Sequence, residues 1–299
     1  MADSQSASVP QPLFSFGVVA DVQYADKDNG EYESRIQRYR EAPNKLQEAV
    51  NTFNSVKQDL LFALTLGDII DGNTTLEKTR ADFHVILEIL CKLDVPTCHL
   101  LGNHCLSLPR DEVLKALNMP ARYYQTDLKA GWKLVVLDSM DMSLNWPEDT
   151  ENYKAAADFL KAYPLGQANP QMSLWNGGIG SVQLSWLAAL LKDAERDVVK
   201  LIVAGHHPVV GGSALTTHLV WNHQEVASML VKSPAVVLYL CGHYHPGGYE
   251  LVDQTHFVTV EAILEAPTKS KAHGLVHVYD HEIAIEGFGT VKSYNLKLP

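Results

Sequence analysis

At five places an apolar run in this sequence ends in polar side chains: FGVVADVQYAD (Phe16 to Asp26), LTLGDIIDG (Leu64 to Gly72), HLLGNHC (His99 to Cys105), IVAGHHP (Ile202 to Pro208) and LYLCGHYH (Leu238 to His245). Taken singly, each cluster has an ordinary structural reading: Asp68 suits a turn or helix cap, Asn103 beside Gly102 makes a turn pair, and His243 and His245 alternate on a strand. Together they offer Asp, Gln, Asn and His from separate segments. That is the hard-to-intermediate ligand set accepted by divalent ions such as Mn, Fe or Zn. Two such ions on the order of 3.5–4 Å apart can activate water and clamp a phosphoryl group.

The elements that must carry these residues follow from the apolar patterning. Short runs rich in Val and Leu predict strands over 13–20, 60–66, 97–101, 134–137, 200–204 and 236–240, covered on both faces. PNKLQEAVNTFNSV aligns Leu46, Ala49, Val50 and Phe53 on one helical stripe, and SVQLSWLAALLKDA aligns Leu184, Leu187, Leu190 and Leu191 on another, with Pro43 and Ser181 at helix starts. The last third reads as short strands (THFVTVEA, GLVHVYD, EIAIEGF, VKSYNL) joined by turns, an antiparallel meander. This is an α/β pattern with helices outside the sheets, and loops after the strands are where ligands gather. Segments 22–42 and 140–180 are long and polar, the character of binding walls or lids.

Composition narrows the function. The 299 residues are 46% hydrophobic, enough for one sizeable core, and we expect a single domain over 13–299 after a loose tail at 1–12. A net charge of -11 argues against nucleic-acid or anionic-membrane partners, and oligomeric state is not legible. Four irregularly spaced cysteines (Cys91, Cys98, Cys105, Cys241) suggest neither a zinc knuckle nor a disulfide framework, so reduced thiols and a cytoplasmic location are expected. The amino terminus shows no secretory signal, and no apolar run reaches the roughly 20 residues of a membrane span.

The ordered series D-x-Q, G-D-x-x-D, G-N-H, G-H-H-P and G-H-x-H, each after a strand, resembles the calcineurin-like metallophosphoesterase superfamily over Asp21 to His245. The resemblance implies a four-layer αββα sandwich of two mixed sheets flanked by helices. It implies that Asp68 bridges two divalent ions, with Asp21, Gln23 and His245 completing one and Asn103, His206 and His243 the other. A hydroxide shared by the ions would attack phosphorus. His104 would serve the leaving oxygen, oriented by Asp71, although Asp71 could equally cap the next helix. His207 is expected beside the ligands rather than among them.

The superfamily commonly has D-x-H where this chain has Asp21-Val22-Gln23. A neutral amide oxygen is a harder ligand than imidazole, which tilts the site toward Mn or Mg, with Fe and Zn as alternatives. ADVQYAD, the arginine-rich SRIQRYREA and WNGGIG together resemble the manganese-dependent ADP-ribose/CDP-alcohol diphosphatase branch. That resemblance implies hydrolysis of ADP-ribose to AMP and ribose 5-phosphate, and of CDP-choline to CMP and phosphocholine. Arg35, Arg38 and Arg40 could then meet the second phosphate of such nucleoside-diphosphate substrates; the competing reading pairs them with Glu31, Glu33 and Glu41 on a solvated helix start. Arg110 is a weaker candidate. NGGIG is either a turn or an anion-binding loop of backbone N–H groups. Cys105 replaces an acidic residue found in many members, Cys241 reads as packing, and Asp26 has no assigned role. Two alternatives stand beside this reading: a cyclic-nucleotide or phosphomonoester hydrolase with the same ions, and a metal-free interaction scaffold.

Overall fold

A computed structural model describes residues 11–299, so the expected tail at 1–12 lies outside the described residues apart from Gln11 and Pro12. The chain opens with β1 (Phe14–Val19), whose residues are all buried, as an unbroken apolar run requires. A small ribbon, β2 (Gly30–Tyr32) and β3 (Arg35–Gln37), stands in the long segment that follows. Helix α1 (Ala42–Ser55) buries Leu46, Ala49, Val50 and Phe53 with Pro43 in its first turn, as the stripe predicts. Then come β4 (Leu60–Thr65), α2 (Leu76–Leu90), β5 (Thr97–His99) and α3 (Arg110–Ala116). The middle of the chain supplies β6 (Tyr124–Asp127), β7 (Trp132–Val136), α4 (Glu151–Ala162), α5 (Ser181–Arg196), β8 (Lys200–Ala204), α6 (His223–Lys232) and β9 (Val236–Cys241). Five strands end it: β10 (Gly248–Val252), β11 (Thr255–Thr259), β12 (Ala272–Val278), β13 (Glu282–Gly289) and β14 (Tyr294–Lys297).

These strands build two six-stranded mixed sheets, ordered β14-β13-β12-β1-β4-β5 and β10-β11-β9-β8-β7-β6. One apolar core lies between them, where Phe14 of the first sheet meets the Trp132 ring of the second edge to face at 5.9 Å. On the outer face of the second sheet, α5 and α6 cover a further core containing Leu187, Leu190, Leu191 and Val226. The order is helices, sheet, sheet, helices, the expected four-layer αββα sandwich. Within each sheet the site-bearing strands run parallel: β1, β4 and β5 in one, β7, β8, β9 and β11 in the other. Their carboxyl ends therefore share an edge, which brings all five polar clusters together.

Two expectations need correction. THFVTVEA is not part of the closing meander: β11 pairs parallel with β9 in the second sheet, and only β12, β13 and β14 form the antiparallel run. The 140–180 segment is not all loop, because Thr150 accepts the Tyr153 N–H and starts α4. Ser181 opens α5, as expected, with Gly180 before it.

His273, on β12, is buried with neither ring nitrogen hydrogen-bonded, between Phe288, stacked at 4.9 Å, and Phe53. Burial, helped by the Lys271 charge, pushes its imidazole down to about 4. The unfolded chain then takes up this proton first on acidification, so the stability tied to neutral His273 is complete above about pH 6.5 and lost as the pH falls toward 4. His273→Phe is expected to raise stability by about 1–3 kcal/mol at neutral pH. It should also remove up to about 1.4 kcal/mol per pH unit of acid sensitivity between pH 6 and 5. Urea melts at pH 7 and 5 check both effects; unchanged midpoints at both would refute them.

Candidate dinuclear metal site

The first ligand segment does not work as strand alternation would have it. Asp21 and Gln23 lie beyond the end of β1 and both have left-handed backbone, φ 48° and 43°. Asp68 (φ 45°) and His243 (φ 65°) share that conformation, so four of the seven expected ligands sit in strained backbone, a cost that packing must hold in place. The neighbouring loops do so: Gln23 N–H donates to the Asp68 carbonyl (2.8 Å), and Ile263 and Leu264 N–H donate to the carbonyls of Ala20 and Asp21 (3.0 Å each). Glycines let the carboxylates come close. A Cβ on Gly102 would lie 2.1 Å from Asp68 Oδ1, and one on Gly242 2.4 Å from Asp21 Oδ2.

The carboxylates divide their oxygens. Asp68 Oδ1 accepts the His104 N–H (2.8 Å), while Oδ2 lies 3.0 Å from His206 Nε2 without the angle of a hydrogen bond. Asp21 Oδ2 accepts the His243 N–H (3.0 Å), and Oδ1 has no partner, 3.9 Å from His206 Nε2 and 3.7 Å from His245 Nε2. Asn103 Oδ1 and His206 Nε2 are likewise buried and unpartnered. Ligand atoms of Asp21, Asp68 and His206 lie within 4.8 Å of one another, and so do those of His206, His207 and His243. Orphaned donors of this kind are what divalent ions satisfy, so the residues fit the implied metals.

Each imidazole is fixed through its other nitrogen. His206 Nδ1 bonds the Leu66 carbonyl (2.7 Å), His245 Nδ1 bonds Glu265 Oε1 (2.8 Å), and His243 Nε2 bonds Asn176 Oδ1 (2.8 Å). His207 has both nitrogens engaged, by Ser139 Oγ (2.7 Å) and the Trp175 carbonyl (3.4 Å), which suits a supporting position. Gln23 turns its amide nitrogen to Asp68 Oδ2 (3.3 Å), so offering its oxygen to an ion requires a half-turn of the amide. Burial raises the Asp21 carboxyl above its usual range, opposed by His206 and His245. Burial acts the same way on Asp68, but the charges of His206 and His104 outweigh it and hold that carboxyl low. His206, against its burial, is pushed up to about 9 by Asp68 and Asp21. The pocket demands positive charge, and protons or metal ions can supply it.

Above these residues opens a cavity of about 400 Å³ lined by Gln23, Asn103, His104, Asp71, His243 and His245, with Arg35, Gln37, Tyr32, Tyr39, Trp175 and His218 on its farther walls. His104 Nδ1 lies 2.9 Å from the Asp71 carbonyl and 3.2 Å from Asp71 Oδ1, whose partner oxygen contacts Lys27. Asp71 caps no helix, since Thr75 caps α2. The three arginines differ. Arg35 lines the cavity, held by Glu265 (2.7 Å) and Glu33 (3.1 Å). Arg38 donates to the carbonyls of Ile36 and Glu265, and Arg40 pairs with Asp26 (2.6 Å) and Asp28; neither lines the cavity. Arg110 is also elsewhere, paired with Asp138 at 3.0 Å. Cys105 and Cys241 are buried. The NGGIG loop binds no anion through its backbone: Gly178, Ile179 and Gly180 N–H groups donate to the Met142 carbonyl, Asn222 Oδ1 and Asp141 Oδ2. The sequence gives no sign of Glu265, which no local pattern marks, and no role is read for Asn176, although it lies in the WNGGIG motif.

A two-layer β core flanked by helices, with a mixed carboxylate, amide and imidazole set where its strands end, defines a dinuclear-metal phosphoesterase. Residues 14–247 match the calcineurin-like phosphoesterase family, and the chain belongs to it. It is 37% identical to a manganese-dependent ADP-ribose/CDP-alcohol diphosphatase of Arabidopsis thaliana over 95% of this chain and 96% of that one. A protein of the same name in Xenopus laevis is 32% identical over 98% and 92% of the two chains. Among solved structures, a dimetal phosphatase from Danio rerio superposes with a TM-score of 0.89 at 26% identity, covering 97% of this chain and all of that one (100%).

If the buried carboxylates need cations, Mn²⁺ at about 100 times its dissociation constant should stabilise the metal-stripped protein by about 2.7 kcal/mol. Asp68→Asn should lose most of that gain. Denaturation with and without Mn²⁺ decides; identical midpoints for the wild-type protein would contradict the metal assignment.

Proposed function

We propose that this chain is a manganese-dependent diphosphatase that cleaves the pyrophosphate bond of ADP-ribose, giving AMP and ribose 5-phosphate, and of CDP-alcohols such as CDP-choline, giving CMP and phosphocholine. The observation that carries the reading is one cavity lined by four expected ligand residues, Gln23, Asn103, His243 and His245, together with Arg35 and aromatic rings. A monoester needs only the ligand residues. A nucleoside diphosphate also needs a cation for its second phosphate and a flat apolar surface for its base, and Arg35 with Tyr32, Tyr39 and Trp175 supplies both.

In this proposal Asp21, Gln23, Asp68 and His245 hold one ion, and Asp68, Asn103, His206 and His243 the other. When bound, the two ions acidify a water and neutralise phosphoryl charge. The rest is done by the chain. Glu265 and Glu33 keep Arg35 facing the substrate. Asp71 occupies His104 Nδ1, which leaves Nε2 to carry the proton for the departing oxygen. Arg38 and Arg40 brace the loop rather than touch phosphate. The shared core supports one domain over 13–299, the acidic balance supports small-molecule rather than nucleic-acid or membrane partners, and four free thiols support a cytoplasmic location. Among the described residues, no helix is long and apolar enough to cross a membrane.

With Mn²⁺, the protein is expected to turn over ADP-ribose and CDP-choline in preference to a cyclic nucleotide or a nitrophenyl ester. His104→Ala should lower kcat on CDP-choline by about 100- to 10,000-fold. Product analysis by chromatography tests this, and turnover of the monoester alone would overturn the diphosphatase reading. Gln23→His should shift metal preference from Mn²⁺ toward Zn²⁺ in competition binding; an unchanged preference would show that the amide does not set it.

A further inference from the structure

We propose that Asn176 is a positioning residue that fixes the tautomer of His243, with the proton on Nε2 and a bare Nδ1 for an ion. The role in metal binding rests on the dinuclear reading above; the tautomer rests on hydrogen bonds alone. Asn176 is fully buried, and its Nδ2 donates to two backbone carbonyls, Gln171 (2.8 Å) and Thr217 (2.7 Å). Carbonyls only accept, so the amide can face just one way, and Oδ1 must be the atom 2.8 Å from His243 Nε2. An amide oxygen also only accepts. His243 Nε2 is therefore the protonated nitrogen, since the other tautomer would set two lone pairs against each other at hydrogen-bond distance.

The remainder of the WNGGIG motif serves this placement. The Trp175 carbonyl faces His207 Nε2, and the Trp175 residue lines the cavity. A Cβ on Gly177 would lie 2.4 Å from the Ser139 carbonyl oxygen and 3.0 Å from Met140 Cα, so the loop lies against the segment after β7 only with glycine at that position. The Trp221 N–H bonds the Gly177 carbonyl, and Gly178 exchanges N–H and C=O with Met142. His206 and His245 are oriented from Leu66 and Glu265. Of the three expected ligand histidines, His243 is the one that takes its orientation from the 140–180 segment, which makes that segment part of the proposed metal site rather than only a wall above it.

The test uses the full chain with labelled histidines. Long-range ¹H–¹⁵N spectra of the metal-stripped wild type should show His243 protonated on Nε2. By calorimetry, Asn176→Ala and Asn176→Asp should each weaken one of two Mn²⁺ sites by about 10- to 100-fold. The Asp variant discriminates: it fills the same space but sets an oxygen against the Gln171 and Thr217 carbonyls, so a space-filling role predicts wild-type binding. An Nδ1-protonated His243 in the wild type, or two normal Mn²⁺ sites in Asn176→Asp, would overturn the proposal. The wild-type tautomer decides if neither variant folds. Wild-type protein that binds no Mn²⁺ would overturn the dinuclear reading and the metal role of Asn176 with it, whereas two normal sites with the other tautomer would overturn this proposal alone.

Discussion

Two carboxylates, Asp21 and Asp68, are wholly buried where the ends of two β-sheets meet. Ionised groups in such a place are costly unless opposite charge lies beside them. The rest of the site follows from that constraint. Histidines from the second sheet turn toward the carboxylates of the first, and the aspartates raise His206 to about 9 against a burial that would lower it. The sandwich thus holds a concentrated negative charge between two halves of its core, and cations complete it.

Holding such a site open takes more than the residues that touch the ions. The left-handed backbone at Asp21, Gln23, Asp68 and His243 aims side chains off the strand directions, and the loop after β11 bonds back to Ala20 and Asp21 to keep it so. Glu265 shows the economy of this arrangement. One of its oxygens orients His245 and the other anchors Arg35, so the metal floor and the phosphate-facing wall share one carboxylate.

Much of this was legible in the sequence because the information is local. Strands such as β4 and β9 are near-continuous apolar runs, and each expected ligand follows its strand by two to four residues, so order and spacing were enough to read the sandwich and to nominate seven ligands that the fold brings to one edge. What depends on distant partners was not legible. β11 reads like any half-buried strand, and only its parallel pairing with β9 removes it from the meander. Arg35, Arg38 and Arg40 look alike in SRIQRYREA, and they separate only because Asp26, Asp28 and the Glu265 carbonyl happen to face two of them. The glycines of WNGGIG left a turn and an anion loop both open, and the choice is made by Met142, Asn222 and Asp141, which engage its amides and which no window of sequence would join.

The central proposal is that the buried Asp68 carboxylate would serve both metal ions. Anomalous scattering at the manganese edge from crystals grown with Mn²⁺ tests it most directly. The account predicts two peaks per chain, both beside the Asp68 carboxylate, one also beside Asp21 and His245 and the other beside Asn103, His206 and His243. A single peak, or peaks that leave Asp68 untouched, would contradict it.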